Sequence, residues 1–395
     1  MNPRDNPYSP GAGTPPPELA GREQIIDKAS IALERIRKGL PARSLMLVGL
    51  RGVGKTVLLN RLNNQAEEDG LATIMLEAPE RKSLPALLAP ALRGVLLKLD
   101  LMSRGSDLVR RAMRGIGGFV QAMKVKYEDI EFGLDLGMEP GIADTGDLDA
   151  DLSALMRSIG EAAREQKTAV VLFIDELQYV EEAQLAALIS ALHRCAQLQL
   201  PITLIGAGLP QLVGQMGKAK SYAERLFEFI TIGALSDEQA IQALIEPARR
   251  SDVHFTPDAL EAILHQTKGY PYFLQEWGKH SWDCAEQSPI TLEDVNHCAT
   301  LRAINELDQS FFRVRLDRVT PSERRYMRAM AELGPGAHRS GDIARVMGRE
   351  VRTVAPIRSK LIDKGMIYSP AHGDTAFTVP LFDEYLKRVM PELEN

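Results

Sequence analysis

Cysteine is scarce in this chain: Cys195, Cys284 and Cys298 are the only three in 395 residues. They form no CxxC pair, and their spacings suit no zinc site. So sparse and odd a count fits a reducing compartment. Each is therefore expected to be a small buried apolar residue, and the chain to be cytoplasmic. Long apolar runs are missing as well. No window reaches the roughly 18 uninterrupted apolar residues of a membrane span, so no membrane is expected as a partner. The opening stretch MNPRDNPYSPGAGTPPPE lacks the apolar centre of a signal peptide. Nor is there an excess of positive charge. Lys and Arg number 47 against 53 Asp and Glu, a net charge of −6. Any contact with nucleic acid must come from a local basic patch. No repeat of fixed period is present.

What is there is globular. Hydrophobic residues make up 45% and charged residues 25%, and the length suits two or three domains. Residues 1–17 are rich in Pro, Gly and Asn and are expected to form a disordered, mobile arm.

The stretch LMLVGLRGVGKTVLLNRL, residues 45–62, is the strongest signal. Within it Gly49, Leu50, Arg51, Gly52, Val53, Gly54, Lys55 and Thr56 fit the phosphate-loop pattern GxxxxGK[ST]. Glycines allow backbone amides to converge on phosphates where side chains would block them. Lys55 is expected at the β- and γ-phosphates of ATP, and the Thr56 hydroxyl on Mg²⁺. The apolar run before the loop reads as a buried strand. Val57, Leu58 and Leu62 after it have helical spacing, which aims a helix N-terminus at the anion.

A second element follows in TAVVLFIDELQYV, residues 168–180. Val170–Ile174 is continuously apolar, as in a parallel strand buried on both faces. Asp175 and Glu176 come at its carboxyl end, where doubly wound sheets place ligands. Asp175 is the expected second holder of Mg²⁺, and Glu176 the base that polarises an attacking water. Gln178 reads as a solvated residue at a helix start, with a γ-phosphate sensor as the rival role. Between the two elements a strand (71–79), helices, an alternating hairpin-like stretch (124–138) and a helix striped by Leu152, Leu155, Met156 and Ile159 fit a strand–helix series.

With these segments in hand the chain resembles the AAA+ ATPases of the origin-recognition-like and archaeal-ATPase type, near the STAND signalling ATPases, over nearly all of residues 18–390. ELAGREQIIDKA is similar to that family's Gly-Arg-Glu segment, which implies Gly21 and Arg22 against the adenine. LPITLIGAGLPQL resembles the strand that carries the first sensor. Here it ends in Gly206-Ala207-Gly208 rather than a polar residue, and Thr203 is the nearest polar alternative. AKSYAERLFEFITIGALS resembles the segment ending in an arginine finger, which implies Arg225 acting on a neighbouring subunit. TKGYPYFLQEWG resembles the Gly-x-Pro motif of the lid, which implies Gly269 and Pro271 near the nucleotide. A homo-oligomer follows from the same resemblance.

The rest of the chain divides into two modules. Four helix-start signals, with Ser236, Thr256 and Thr291 as N-caps, give an all-α lid at 236–305. From 306 to 395 the order helix, helix, turn, helix, two short strands is that of a winged helix. Its first short helix is expected to be capped by Ser340 and its second closed by Gly365. Pro356 fits only if that second helix starts near Thr353. Over 340–364 there are six basic residues against three acidic, and over 306–395 fifteen against thirteen. That mild basic bias makes double-stranded DNA a candidate partner, with Arg352, Arg358 and Lys360 at the groove or phosphates.

The expectation is thus an α/β P-loop NTPase, a doubly wound parallel sheet at 18–235, with an all-α lid and a C-terminal winged-helix domain. It would use ATP and Mg²⁺ in a conformational or assembly cycle on DNA. The alternative is a STAND-type signalling switch, in which the winged helix contacts a protein partner or relays the nucleotide state. A small-molecule kinase fits less well, because no acceptor pocket is legible.

Overall fold

The computed structural model describes residues 1–11, 13–78, 83–103, 106–123 and 142–393. The hairpin-like stretch 124–138 lies outside them. Helix α1 (Glu23–Arg37) leads into β1 (Ser44–Val48), α2 (Lys55–Glu68) and β2 (Ala72–Glu77). Three helices follow, α3 (Leu84–Ser103), α4 (Asp107–Ala122) and α5 (Leu148–Glu165), then β3 (Val170–Asp175) and α6 (Glu182–Gln197). The first domain closes with β4 (Ile202–Gly208), α7 (Leu212–Ala219), α8 (Ala223–Leu226) and β5 (Phe227–Thr231). The five strands form a parallel sheet of order β2-β3-β4-β1-β5.

Every residue of β1, β3 and β4 is buried, as their uninterrupted apolar runs require. Alternate residues serve opposite faces. Met46, Leu172 and Leu204 pack with α3–α7, and the expected stripe on α5 is buried in the same core. Leu47, Phe173 and Ile205 pack with α1 and α2 on the other face.

The second half is helical. The lid holds α9 (Asp237–Arg249), α10 (Pro257–Thr267) and α11 (Pro271–Cys284). A helical run over 292–316 follows, made of α12 (Leu292–Asp294), α13 (Thr300–Glu306) and α14 (Arg313–Leu316) joined by π-helical turns at Val295–Ala299 and Leu307–Phe312. Ser236 and Thr291 start their helices as capping boxes with Gln239 and Asp294. Thr256 stands at an N-cap without making the side-chain bond. The C-terminal module holds α15 (Pro321–Glu332), β6 (His338–Arg339), α16 (Ser340–Val346), α17 (Val351–Asp363), β7 (Ile367–Tyr368), β8 (Asp374–Phe377) and α18 (Phe382–Val389). Its small sheet has the order β6-β8-β7.

Five expectations need correction. Residues 1–11 are packed rather than free. Tyr8 is 3% exposed and its hydroxyl donates to the Leu244 carbonyl. Asn6 donates to Asp283 and to the Lys279 carbonyl at 2.8 and 3.0 Å. Gly278 leaves the room, since a Cβ there would lie 2.7 Å from the Tyr8 ring. Composition marks the arm as unable to build a core of its own, but a buried aromatic side chain and a few hydrogen bonds dock it on another.

The lid does not end at 305. The helical run passes that point without a break, and the next capped start is Thr320 with Glu323. Lid and C-terminal module share one hydrophobic core, in which Phe312 stacks on Tyr385 with ring centroids 5.0 Å apart. Cys284 and Cys298 are joined in a disulfide, and only Cys195 is a free buried thiol. α17 starts at Val351, so Pro356 lies beyond the first turn. Its missing N–H and its ring are tolerated on an exposed helix face. Ser340 is not an N-cap: it is the first residue of α16, and its hydroxyl bonds the Gly373 carbonyl at 3.0 Å. Gly365, at φ 63°, closes α17 as expected.

Candidate functional site

The phosphate loop runs from the carboxyl end of β1 to the start of α2, where Gly54 is the N-cap at φ 90°. That left-handed conformation is open to glycine at no steric penalty. Lys55 is the first helical residue, 7% exposed, and its Nζ donates to the Leu50 carbonyl at 2.8 Å. Burial lowers its pKa to about 8, against the pull of Glu176 and Asp175. Thr56 Oγ1 donates to Asp175 Oδ2 at 2.5 Å. The parallel pairing of β1, β4 and β3 carries both to the same end of the sheet. A hydroxyl and a buried carboxylate side by side are a fitting donor pair for a small hard cation such as Mg²⁺.

Glu176 follows in a left-handed conformation, φ 54°. Its carboxylate accepts a hydrogen bond from Gln178 Nε2 and lies 3.7 Å from the Arg51 guanidinium. Gln178 is not the solvated residue its position suggested. It is 6% exposed, and its Oε1 also accepts the Leu209 N–H at 3.0 Å. Gly208 makes room for it, since a Cβ there would come within 2.8 Å of that oxygen. Thr203 points elsewhere: its hydroxyl lies 3.1 Å from that of Ser44, inside the sheet.

Around this pair the other elements close a cavity of about 590 Å³. Arg22 borders it, donating to the Val53 and Gly233 carbonyls at 3.3 and 2.8 Å, so it braces the loop. Gly21, at φ 69°, packs against Gln239 of the lid. Gly269, at φ 71°, lies so close to Leu235 that a Cβ would be 2.5 Å from its carbonyl oxygen. Pro271 opens α11, and the Tyr272 N–H donates to the Gly52 carbonyl at 3.1 Å. The Gly-x-Pro turn thus ties the lid to the phosphate loop. The arm supplies another wall through Ser9, Pro10 and Gly13, and a Cβ on Gly13 would lie 3.3 Å from the Thr56 methyl.

Three features had no signal in the sequence. The arm is one. The second is Arg315, which lines the cavity from α14. The third is the contact with the C-terminal module. The Arg51 N–H donates to the Thr378 carbonyl at 2.9 Å. Gly365 fits so closely that a Cβ there would lie 3.0 Å from the Tyr179 hydroxyl and 3.2 Å from the Arg51 guanidinium. Arg51 also donates to the Tyr179 hydroxyl at 2.7 Å.

The remaining expected residues lie apart. β5 pairs with β1 so that Phe227 faces Ser44 and Thr231 faces Val48. Arg225, two residues before Phe227, is exposed at the sheet end away from the phosphate loop, a strand length of roughly 17 Å. Arg352 and Lys360 are exposed on α17. Arg358 is not available for a ligand in the same way. It donates to Thr375 Oγ1, Ser369 Oγ and the Asp374 carbonyl at 2.8, 2.8 and 2.9 Å, pinning α17 to β8 and the turn before it.

A five-stranded parallel sheet with a phosphate loop after β1 and an acidic pair after β3 is the fold of a P-loop NTPase. Residues 18–205 match a family described as AAA ATPase domain. Residues 309–386 match a family described as Domain of unknown function (DUF8462). An uncharacterized HTH-type transcriptional regulator of Methanocaldococcus jannaschii is 22% identical over 356 residues, 84% of this chain and 79% of the relative. Among solved structures, the Walker-type ATPase of Pyrococcus abyssi shares the fold at 17% identity and a TM-score of 0.59, covering 95% of this chain and 97% of that one. The Aeropyrum pernix ORC1 protein in complex with DNA aligns at 16% identity and a TM-score of 0.47, covering 94% and 93%.

Proposed function

We propose that this chain binds and hydrolyses ATP, and that the nucleotide state sets how the lid and the C-terminal winged helix sit on the ATPase domain, on duplex DNA and in an assembly of identical chains. The observation that carries this is the Arg51–Thr378 backbone bond: the winged module touches the phosphate loop itself. A ligand arriving between the loop and the lid has to act on that contact.

The chemistry follows from the residues. Lys55 would leave the Leu50 carbonyl for the β- and γ-phosphates. Thr56 and Asp175 would hold Mg²⁺, which when bound offsets the phosphate charge. Glu176 would take a proton from the water that attacks the γ-phosphorus, as the bond from phosphorus to the bridging oxygen of ADP breaks. Its carboxylate is now held by Gln178 and Arg51 and must turn for that task. Arg225 could serve only a nucleotide held by a neighbouring copy, since it is remote from its own loop.

The DNA half rests on the exposed α17 face with Arg352 and Lys360, and on the HTH-type regulator that shares most of its length with this chain. A second reading is favoured by the docking itself. A winged helix held at the phosphate loop could relay the ATP state to a protein partner, as in a signalling switch.

ATP turnover with and without duplex DNA, across salt, separates the two, with Lys55→Ala as the blank. DNA stimulation that fades as salt rises supports the DNA reading. Turnover indifferent to DNA at every salt sinks it in favour of the relay. A Glu176→Gln chain that hydrolyses ATP at the wild-type rate removes the assigned base.

A further inference from the structure

β5 is an edge strand, and its one neighbour in the sheet is β1. The Ile232 N–H donates to the Val48 carbonyl. Because bonding alternates along a parallel strand, the backbone groups of Phe229 and Thr231 face away from β1. Among the described residues nothing bonds them. Such an edge is a template for one more strand.

The two faces beside that edge differ. On the α1 side, Lys28, Ile31, Arg35, Arg43 and Glu228 line a groove of about 420 Å³. Glu228 is its one acid, and Lys28 already pairs with it at 2.6 Å. Arg35 and Arg43 are exposed. Arg35 donates to the Pro41 carbonyl at 3.1 Å, and among the described residues neither arginine pairs with a carboxylate. The other face is apolar: Phe229, Tyr222 and Leu226 are half-buried against the core under α3–α7. An added strand that fits both faces carries acids on one side and apolar residues on the other.

The chain has a segment of that pattern. In DIEFGLDL, residues 129–136, Ile130, Phe132, Leu134 and Leu136 alternate with Asp129, Glu131 and Asp135. Extended, such a sequence puts four apolar side chains on one face and three acids on the other. The segment cannot serve its own β5. It follows α4, which packs on α5, as α5 packs on α6 and α6 on α7. Three helix spacings are roughly 24–30 Å. The stretch 124–129 spans at most about 22 Å.

We propose that residues 129–136 of a second copy add as a strand along β5, with the acids towards Arg35 and Arg43 and the apolar side chains towards Phe229. The contact joins different surfaces of two copies, so it repeats head to tail. The inference rests on the assembly of identical chains proposed above, whose contact it names, and is independent of the ATP site.

Sedimentation velocity on the full chain, over a range of protein concentrations, tests it. Arg35→Glu with Arg43→Glu is expected to weaken self-association about tenfold or more, and Glu131→Lys with Asp135→Lys to do the same. Mixing the two variants sets each groove against a segment of opposite charge and should restore wild-type association. If the groove pair does not fold, Arg43→Glu alone is mixed with the segment pair and decides in the same way. Wild-type association in either variant, or a loss that mixing does not restore, overturns the proposal while an assembling wild type keeps the assembly reading. A wild type that stays monomeric with and without ATP overturns both. The Phe229 and Thr231 amides should exchange hydrogen more slowly in the assembled wild type than in either variant alone. Equal exchange overturns the strand addition.

Discussion

Arg51 and Thr378 meet across the whole chain: the amide of a phosphate-loop residue donates to a carbonyl just past β8 at 2.9 Å. The Arg51 side chain simultaneously binds the Tyr179 hydroxyl and faces Glu176. One residue of the loop therefore touches the C-terminal module through its backbone and the candidate base through its side chain. Movement of either is felt by the other.

The fit at Gly365 gives the first prediction. Its φ of 63° and the closeness of Tyr179 and Arg51 leave no place for a branched side chain. Gly365→Val should destabilise the chain by about 1–3 kcal/mol. It should also loosen the module from the ATPase domain, seen as faster proteolysis around 317–320. Cleavage at the wild-type rate would mean the contact contributes nothing to docking.

The buried ammonium of Lys55 gives a pH dependence. Its pKa of about 8 in the free protein lies below the ordinary 10.5. Phosphate binding favours the charged form, so affinity should be flat below pH 7 and fall as pH rises through 8, by up to tenfold per unit. In the free protein the sign for stability is the reverse. The unfolded chain binds the extra proton between about pH 8 and 10.5, so this group's contribution to stability rises across that window. ATP affinity that holds steady from pH 7 to 9.5 would contradict the assignment.

On α17 the three basic residues separate by role. Arg352→Ala with Lys360→Ala should leave the melting temperature within about 2 °C, since both are exposed. If the DNA reading holds, the pair should lower the salt slope of duplex binding by about 2. Arg358→Ala should instead cost about 1–3 kcal/mol of stability, because it removes three hydrogen bonds to Ser369, Asp374 and Thr375. A stable Arg358→Ala chain with selectively weakened DNA binding would reverse that division.

The docked arm predicts a slower exit for nucleotide. Tyr8→Ala empties a buried site on the lid and should lower stability by about 2–4 kcal/mol. Tyr8→Phe, which loses only the bond to Leu244, should lower it by about 1 kcal/mol. Removing residues 2–10 should accelerate ADP release in stopped-flow measurements. A release rate equal to that of the intact chain would show that the arm bounds the cavity without closing it.

Local sequence determined much of this protein. The phosphate loop, the buried strands β1 and β3, and the acids at the carboxyl end of β3 are legible because adjacent residues carry the signal. Glycine conformations, apolar runs and caps act over a few positions, so Gly54, Lys55, Thr56 and Asp175 could be named before any fold was known. Helix starts at Ser236 and Thr291 were readable for the same reason. What only the tertiary structure decided are contacts between residues far apart in the chain. Gln178 beside Glu176 depends on β4 ending in a glycine. Arg358 is a strut because β8 and the turn before it fold back over it. The arm is ordered because Gly278 leaves space for Tyr8. Arg315 looks like any arginine on a helix until the stack of Tyr272 and Phe311 sets it beside Gly52. No local propensity encodes such neighbours, since they arise when separate elements bury their apolar faces on one another.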